Sequence, residues 1–150
     1  MHTDNLNQKF YQGAMNNLGN LLEEIGWEPE LVEEGVFQIE FKDPHFPVST
    51  VLAAIAKDTS QFLLFINFGF KVPSKRRTEV LLEIARVNWS LSIGHFDLDL
   101  NDGHLRFKTS VDFEGGELSE NLIRNMLLAA IKAIDTYADD FIKVSQQEIG

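Results

Sequence analysis

The tightest local constraint on this chain lies at its centre, from His95 to Val111. Phe96, Leu98 and Leu100 alternate with His95, Asp97 and Asp99, then comes Asn101-Asp102-Gly103-His104, and Leu105, Phe107 and Val111 alternate with Arg106, Lys108 and Ser110. An Asp-Gly pair flanked by alternating apolar residues is a tight-hairpin signature, because glycine supplies the positive φ that such turns need. With Asp102-Gly103 as the two loop residues, Leu100 faces Leu105, Asp99 faces Arg106, Leu98 faces Phe107 and Asp97 faces Lys108. Apolar residues then meet apolar ones and opposite charges meet. A slip of one residue would turn every side chain to the wrong face, so the pattern is strongly specified.

The rest of the chain supplies helices and further strands. Leu18, Leu21, Leu22 and Ile25 mark a first helix over about 5–25, ending at the candidate cap Gly26, with residues 1–13 left open as irregular because Gly13 and several Asn residues weaken it. Residues 36–42 alternate as a half-buried strand. Residues 48–56 and 62–70 read as a hairpin, and the run Phe62-Leu63-Leu64-Phe65-Ile66 predicts a strand covered on both faces. Ser74 is a candidate cap for a helix over 75–92, and Ser119 for a last helix over 119–144, followed by a polar tail at 145–150. The order is α-β-β-β-α-β-β-α, an α+β fold with an antiparallel five-stranded sheet. A length of 150 residues suits one domain spanning 1–150.

Charge and composition narrow the function classes. The formal charge is −10, from 23 acidic and 13 basic residues, which disfavours nucleic acid and anionic membranes as partners. Cysteine is absent, which removes disulfides and thiolate chemistry and fits a cytoplasmic location. No apolar run approaches the ~20 residues of a membrane helix.

No residue constellation points to catalysis, a metal or a cofactor. His2, His45, His95 and His104 lack metal-ligand spacing. Asp97 and Asp99 share a strand face but have Arg and Lys partners across the hairpin, so they read as an ion-paired face. Lys75-Arg76-Arg77 is the one basic cluster, a candidate anion or acidic-partner patch. It opens a helix, where cations oppose the dipole.

The apolar circumference of two helices is larger than one sheet requires. In the second helix Val80, Ile84, Val87 and Leu91 form one stripe, and Leu82 and Trp89 lie roughly opposite, giving an apolar arc of about 220° where one face needs about 100°. The last helix spreads Leu122, Ile123, Met126, Leu127, Ile131, Ile134, Tyr137, Phe141 and Ile142 over roughly 200°. Either the helices are clasped on two sides within the monomer, or Leu82, Ala85 and Trp89 form a surface for another chain.

The stretch 73–144 resembles the YbjN-type family of bacterial sensory-transduction regulators, which share the type III secretion chaperone-like fold. Val72-Pro73 before a helix, Asn88-Trp89-Ser90-Leu91 at its end, Gly94-His95-Phe96-Asp97-Leu98-Asp99, Asp102-Gly103-His104-Leu105-Arg106-Phe107-Lys108, Leu118-Ser119 and Ile134-Asp135-Thr136-Tyr137 carry the resemblance. It implies the element order read above and no enzymatic activity. It also implies a homodimer seam at Leu82, Trp89 and nearby strand residues, with another protein's segment as partner. The expectation is a non-catalytic, homodimeric protein-binding module, chaperone-like or regulatory. The alternative is a small-ligand sensor with a pocket between sheet and helices.

Overall fold

The computed structural model describes residues 2–147, with side chains from residue 5 onward. The chain order is α1 (His2–Glu24), β1 (Glu30–Glu33), β2 (Val36–Glu40), β3 (Val48–Ala56), β4 (Gln61–Lys71), a 3-10 turn (Ser74–Arg76), α2 (Arg77–Ser90), β5 (His95–Leu98), β6 (His104–Asp112) and α3 (Glu120–Gln146). Every pairing is antiparallel and the strands run β1-β2-β3-β4-β6-β5 across one sheet.

Among the described residues the sheet has six strands, one more than the sequence pattern predicts. The addition, β1, is Glu-Leu-Val-Glu with every residue exposed. It carries no inward alternation, so its only fold signal is backbone pairing with β2. Its far side is an open sheet edge.

Alternation sorts the sheet into two faces. Val51, Ala53 and Ile55 of β3, Phe62, Leu64, Ile66 and Phe68 of β4, and Leu105 and Phe107 of β6 are buried in one cluster with residues from all three helices. α1 packs on β3, α3 on β6 and α2 on β5. The helices therefore occupy one face. The opposite face presents Leu52, Leu63 and Phe65, half-buried among their neighbours. Phe65 lies under the Arg106 guanidinium, 5.0 Å from the ring centroid, and the Lys108 ammonium at 5.6 Å. The expectation that β4 is covered on both faces is thus corrected: the charged ends of two basic side chains lie over Phe65, in place of a second layer.

The central hairpin keeps its predicted faces but not its register. Leu98 pairs with Leu105, Asp97 with Arg106, Phe96 with Phe107 and His95 with Lys108. This is a shift of two residues, which preserves the side of every side chain. The turn is longer than the predicted Asp102-Gly103 pair. The Asp99 amide donates to the His104 carbonyl and the Gly103 amide to the Asp99 carbonyl. Asp99 Oδ1 accepts from the Asn101 amide and Asp102 Oδ1 from the His104 amide, so both carboxylates organise the loop. Leu100 is consequently exposed instead of facing Leu105. Gly103 has φ +83° and its Cα lies against β4's end. A Cβ there would sit 2.2 Å from the Val72 carbonyl oxygen.

Helix boundaries need three corrections. α1 is helical from His2, so residues 2–13 are regular, while Met1 lies outside the described residues. Ser74 makes no capping bond; Pro73 and a 3-10 turn lead into α2 instead. α3 continues to Gln146, into the predicted tail, of which 148–150 lie outside the described residues. Ser119 does cap α3, its side chain accepting from the Leu122 amide at 3.1 Å.

Candidate functional site: an outward helix face and an apolar groove

α2 is seated by the stripe the sequence predicts, with Val80, Ile84 and Val87 buried. Asn88 fixes its far end. The Asn88 amide donates from Nδ2 to the Phe96 carbonyl at 3.0 Å, and its Oδ1 accepts from the Phe96 amide at 2.9 Å. Those two backbone groups point away from β6, so one side chain takes the place of a neighbouring strand at the β5 edge.

The residues opposite that stripe are uncovered. Trp89 is 93% exposed, Leu82 is 55% exposed, and Ala85 between them is exposed. At spacings of three and four residues they form one face. The three candidate interface residues are thus brought together, and none is clasped within the monomer.

The basic cluster divides. Arg76 is 7% exposed. Its Nε donates to the Val144 carbonyl at 2.9 Å and its Nη2 reaches Gln147 Oε1 at 3.4 Å. The charge that opposes the dipole at the start of α2 sits at the end of α3, where the dipole favours a cation. Arg77 Nε donates to the Val72 carbonyl at 3.1 Å and its Nη1 to the Leu100 carbonyl at 3.0 Å, tying α2 to the hairpin tip. Lys75 is exposed. Among the described residues the patch read from sequence therefore presents Lys75 without an ion-pair partner, with two guanidinium groups turned to backbone carbonyls.

The other polar candidates stay apart. His95 lies opposite Lys108, and His104 lies beside the turn, four strand positions away or roughly 13 Å. Asp97 receives a two-pronged bond from Arg106, at 2.7 and 3.2 Å, and Asp99 is taken up by the turn. Among the described residues no three His, Asp or Glu side chains converge on a metal-sized site.

Sequence reasoning missed a second apolar surface. α1 stops at Glu24, whereas α3 runs on past it. Trp27 and the 41–47 loop roof the corner of the sheet beyond α1's end. An apolar groove of about 680 Å³ opens there. Val48, Val51, Ile66 and Ile134 form its buried floor. Trp27 and Phe41 meet edge to face with ring centroids 5.4 Å apart, and Phe41 and Phe46 lie at 5.1 Å, forming one wall. α3 forms the other with Leu128, 58% exposed, and Ile131, 42% exposed, followed by Lys132, Asp135 and Asp139. Its sequence signals were a tryptophan after a helix-ending glycine and a phenylalanine held between Pro44 and Pro47.

With these surfaces in view, comparison with known proteins is informative. The model of the YbjN family, described as "Putative bacterial sensory transduction regulator", matches residues 16–143. This chain belongs to the YbjN family. Among solved structures it is similar to YbjN from E. coli, at 14% identity and TM-score 0.63, covering 81% of this chain and 86% of that one. It is also similar to a chain of the HopA1-SchA chaperone-effector complex, at 10% identity and TM-score 0.59, covering 86% and 95%. A third likeness is to a chain of the heterodimeric ExoU-SpcU complex from the type III secretion system of Pseudomonas aeruginosa, at 15% identity and TM-score 0.53, covering 80% and 93%. These likenesses establish the secretion-chaperone-like fold. No curated protein matches the sequence. Among the described residues no helix is long and apolar enough to cross a membrane.

Proposed function

We propose that this YbjN-family chain is a non-catalytic, homodimeric protein-binding module, chaperone-like or regulatory, working in the cytoplasm. The observation that carries the reading is Trp89, almost wholly in solvent on the same α2 face as Leu82 and Ala85. Tryptophan is enriched at the energetic centres of interfaces, where truncating one residue to alanine can cost about 2 kcal/mol or more. Neighbours of similar fold were solved in chaperone–effector and heterodimeric complexes, which supports protein binding as the type of activity. The acidic surface and cysteine-free composition fit a reducing compartment and a partner that is not a polyanion.

Light scattering coupled to size exclusion tests the dimer. The wild type is expected at twice 17.0 kDa and Trp89→Ala at 17.0 kDa. A wild-type particle of one chain at micromolar concentration, unchanged by the substitution, would remove the seam.

The groove gives specific support to a second reading, a small-ligand sensor. Its volume lies in the range of ligand pockets. A metabolite screen by thermal shift separates the readings: a saturable rise in Tm with one compound favours the sensor.

A further inference from the structure

We infer that the groove between α3 and the Trp27–Phe46 wall receives a basic, apolar-anchored segment of a partner polypeptide. The inference rests on the protein-binding reading and gives that partner a chemistry.

Three features select this occupant. The first is length. From Leu128 to Asp139 the α3 wall advances eleven residue steps, or roughly 16 Å at the helical rise. That distance suits about five residues of extended chain. The second is the floor. Val48, Val51, Ile66 and Ile134 offer no side-chain donor or acceptor, and no buried side-chain polar atom among the described residues lacks a partner. Compact metabolites are usually oriented by a few placed polar groups. An apolar side chain needs none, because its backbone stays at the mouth.

The third feature is charge. Asp135 and Asp139 stand one helical turn apart on the rim, both exposed, and neither takes part in an ion pair among the described residues. Lys132 is the one basic residue lining the groove among the described residues. Two carboxylates therefore outweigh one ammonium beside the apolar channel, on a chain of net charge −10. Leu128 and Ile131 would hold aliphatic or aromatic anchors while Asp135 and Asp139 draw lysine or arginine from between them. A second copy of this acidic chain is a poor match for the rim.

Trp27 reports on the site when it is the sole tryptophan, in a Trp89→Phe background. The probe is a synthetic peptide alternating Leu or Phe with Lys; its counterpart carries Glu for Lys. The Lys peptide is expected to shift Trp27 emission saturably and the Glu peptide to leave it unchanged. Asp135→Asn with Asp139→Asn should weaken binding about threefold to tenfold at low salt, and added salt should do the same to the unsubstituted groove. Leu128→Glu should abolish the shift. Its circular dichroism melt reports folding, and Ile131→Ser serves if that variant melts early.

Equal binding of both peptides, no saturable shift with the Lys peptide, or a shift that survives Leu128→Glu and Ile131→Ser would each overturn the inference. So would a neutral small molecule that occupies the groove more tightly than the peptide, which marks a sensor pocket. A dimer split by Leu128→Glu and not by Trp89→Ala would make a second copy the occupant. Because the dimer is read at α2 by particle mass, its failure and that of the groove are separately visible.

Discussion

Replacing Asn88 with alanine should loosen the β5 edge without touching the outward α2 face. The side chain makes two hydrogen bonds, both to the backbone of Phe96. Each contributes about 1 kcal/mol net, and stranding the amide and carbonyl of a buried residue adds a desolvation penalty of about 1–3 kcal/mol where water cannot reach. Phe96 is buried, with its ring 5.1 Å from Phe107 and 4.7 Å from Phe141, so water reaches its backbone only if the strand shifts. The expected loss is about 3–5 kcal/mol, a fall in Tm of about 6–20 °C for a chain of this size. Urea denaturation followed by circular dichroism measures it, and amide exchange at Phe96 localises it. Asn88→Asp adds a sign test. Ionised, it still accepts from the amide but sets a negative oxygen against the Phe96 carbonyl. Protonated, it can donate as Asn does. Folding therefore favours the neutral form and raises its folded pKa. Its deficit should shrink as pH falls through that folded value and be smallest below the unfolded one. A loss under ~0.5 kcal/mol for Asn88→Ala, the scale of an ordinary surface change, with unaltered exchange at Phe96, would refute the reasoning.

Three further outcomes follow from the geometry. Gly103→Ala should cost about 2 kcal/mol or more, because a residue with φ +83° gains a Cβ 2.2 Å from the Val72 carbonyl oxygen; chemical denaturation reads the loss. Arg76→Met should cost about 1–3 kcal/mol and increase exchange in the last turn of α3, since Val144 loses its buried donor. The His104 amide, and secondarily Lys71, hold the Asp102 carboxyl below its ordinary value of 3.8. Any stability that this exposed group contributes is present above that value and is lost as pH falls through the lower folded one. Carboxyl NMR should place the folded midpoint below 3.8, and Lys71→Met should raise it only part of the way back.

What was legible in the sequence follows from what periodicity encodes. The alternation of Phe96 and Leu98 against Leu105 and Phe107 specified which face is buried, and that face is the observed one. Register was less visible because a shift of two residues leaves all faces unchanged, and the choice fell to Asp99 and Asp102 binding loop amides. β1 has no buried side chain and hence no pattern to read. The outward position of Leu82 and Trp89 was readable from the helical wheel, since one sheet offers α2 a single side. The destinations of Arg76 and Arg77 were not, because each depends on a carbonyl at least five residues away, and for Arg76 on one 68 residues away. The groove was equally hidden. It arises from α1 ending before α3 does, a mismatch between elements that no single segment records.

The two margins of the sheet differ in kind. At β5 the outward backbone groups of Phe96 are already bonded to Asn88, so a strand paired against them would have to displace that side chain. At β1 the outer ladder is vacant among the described residues, and Glu30 and Glu33 lie on the strand, with Glu28 before it and the Lys57-paired Glu34 after it. Lateral growth of this ribbon is therefore one-ended, and the vacant end is guarded by like charge against recruiting another copy of itself.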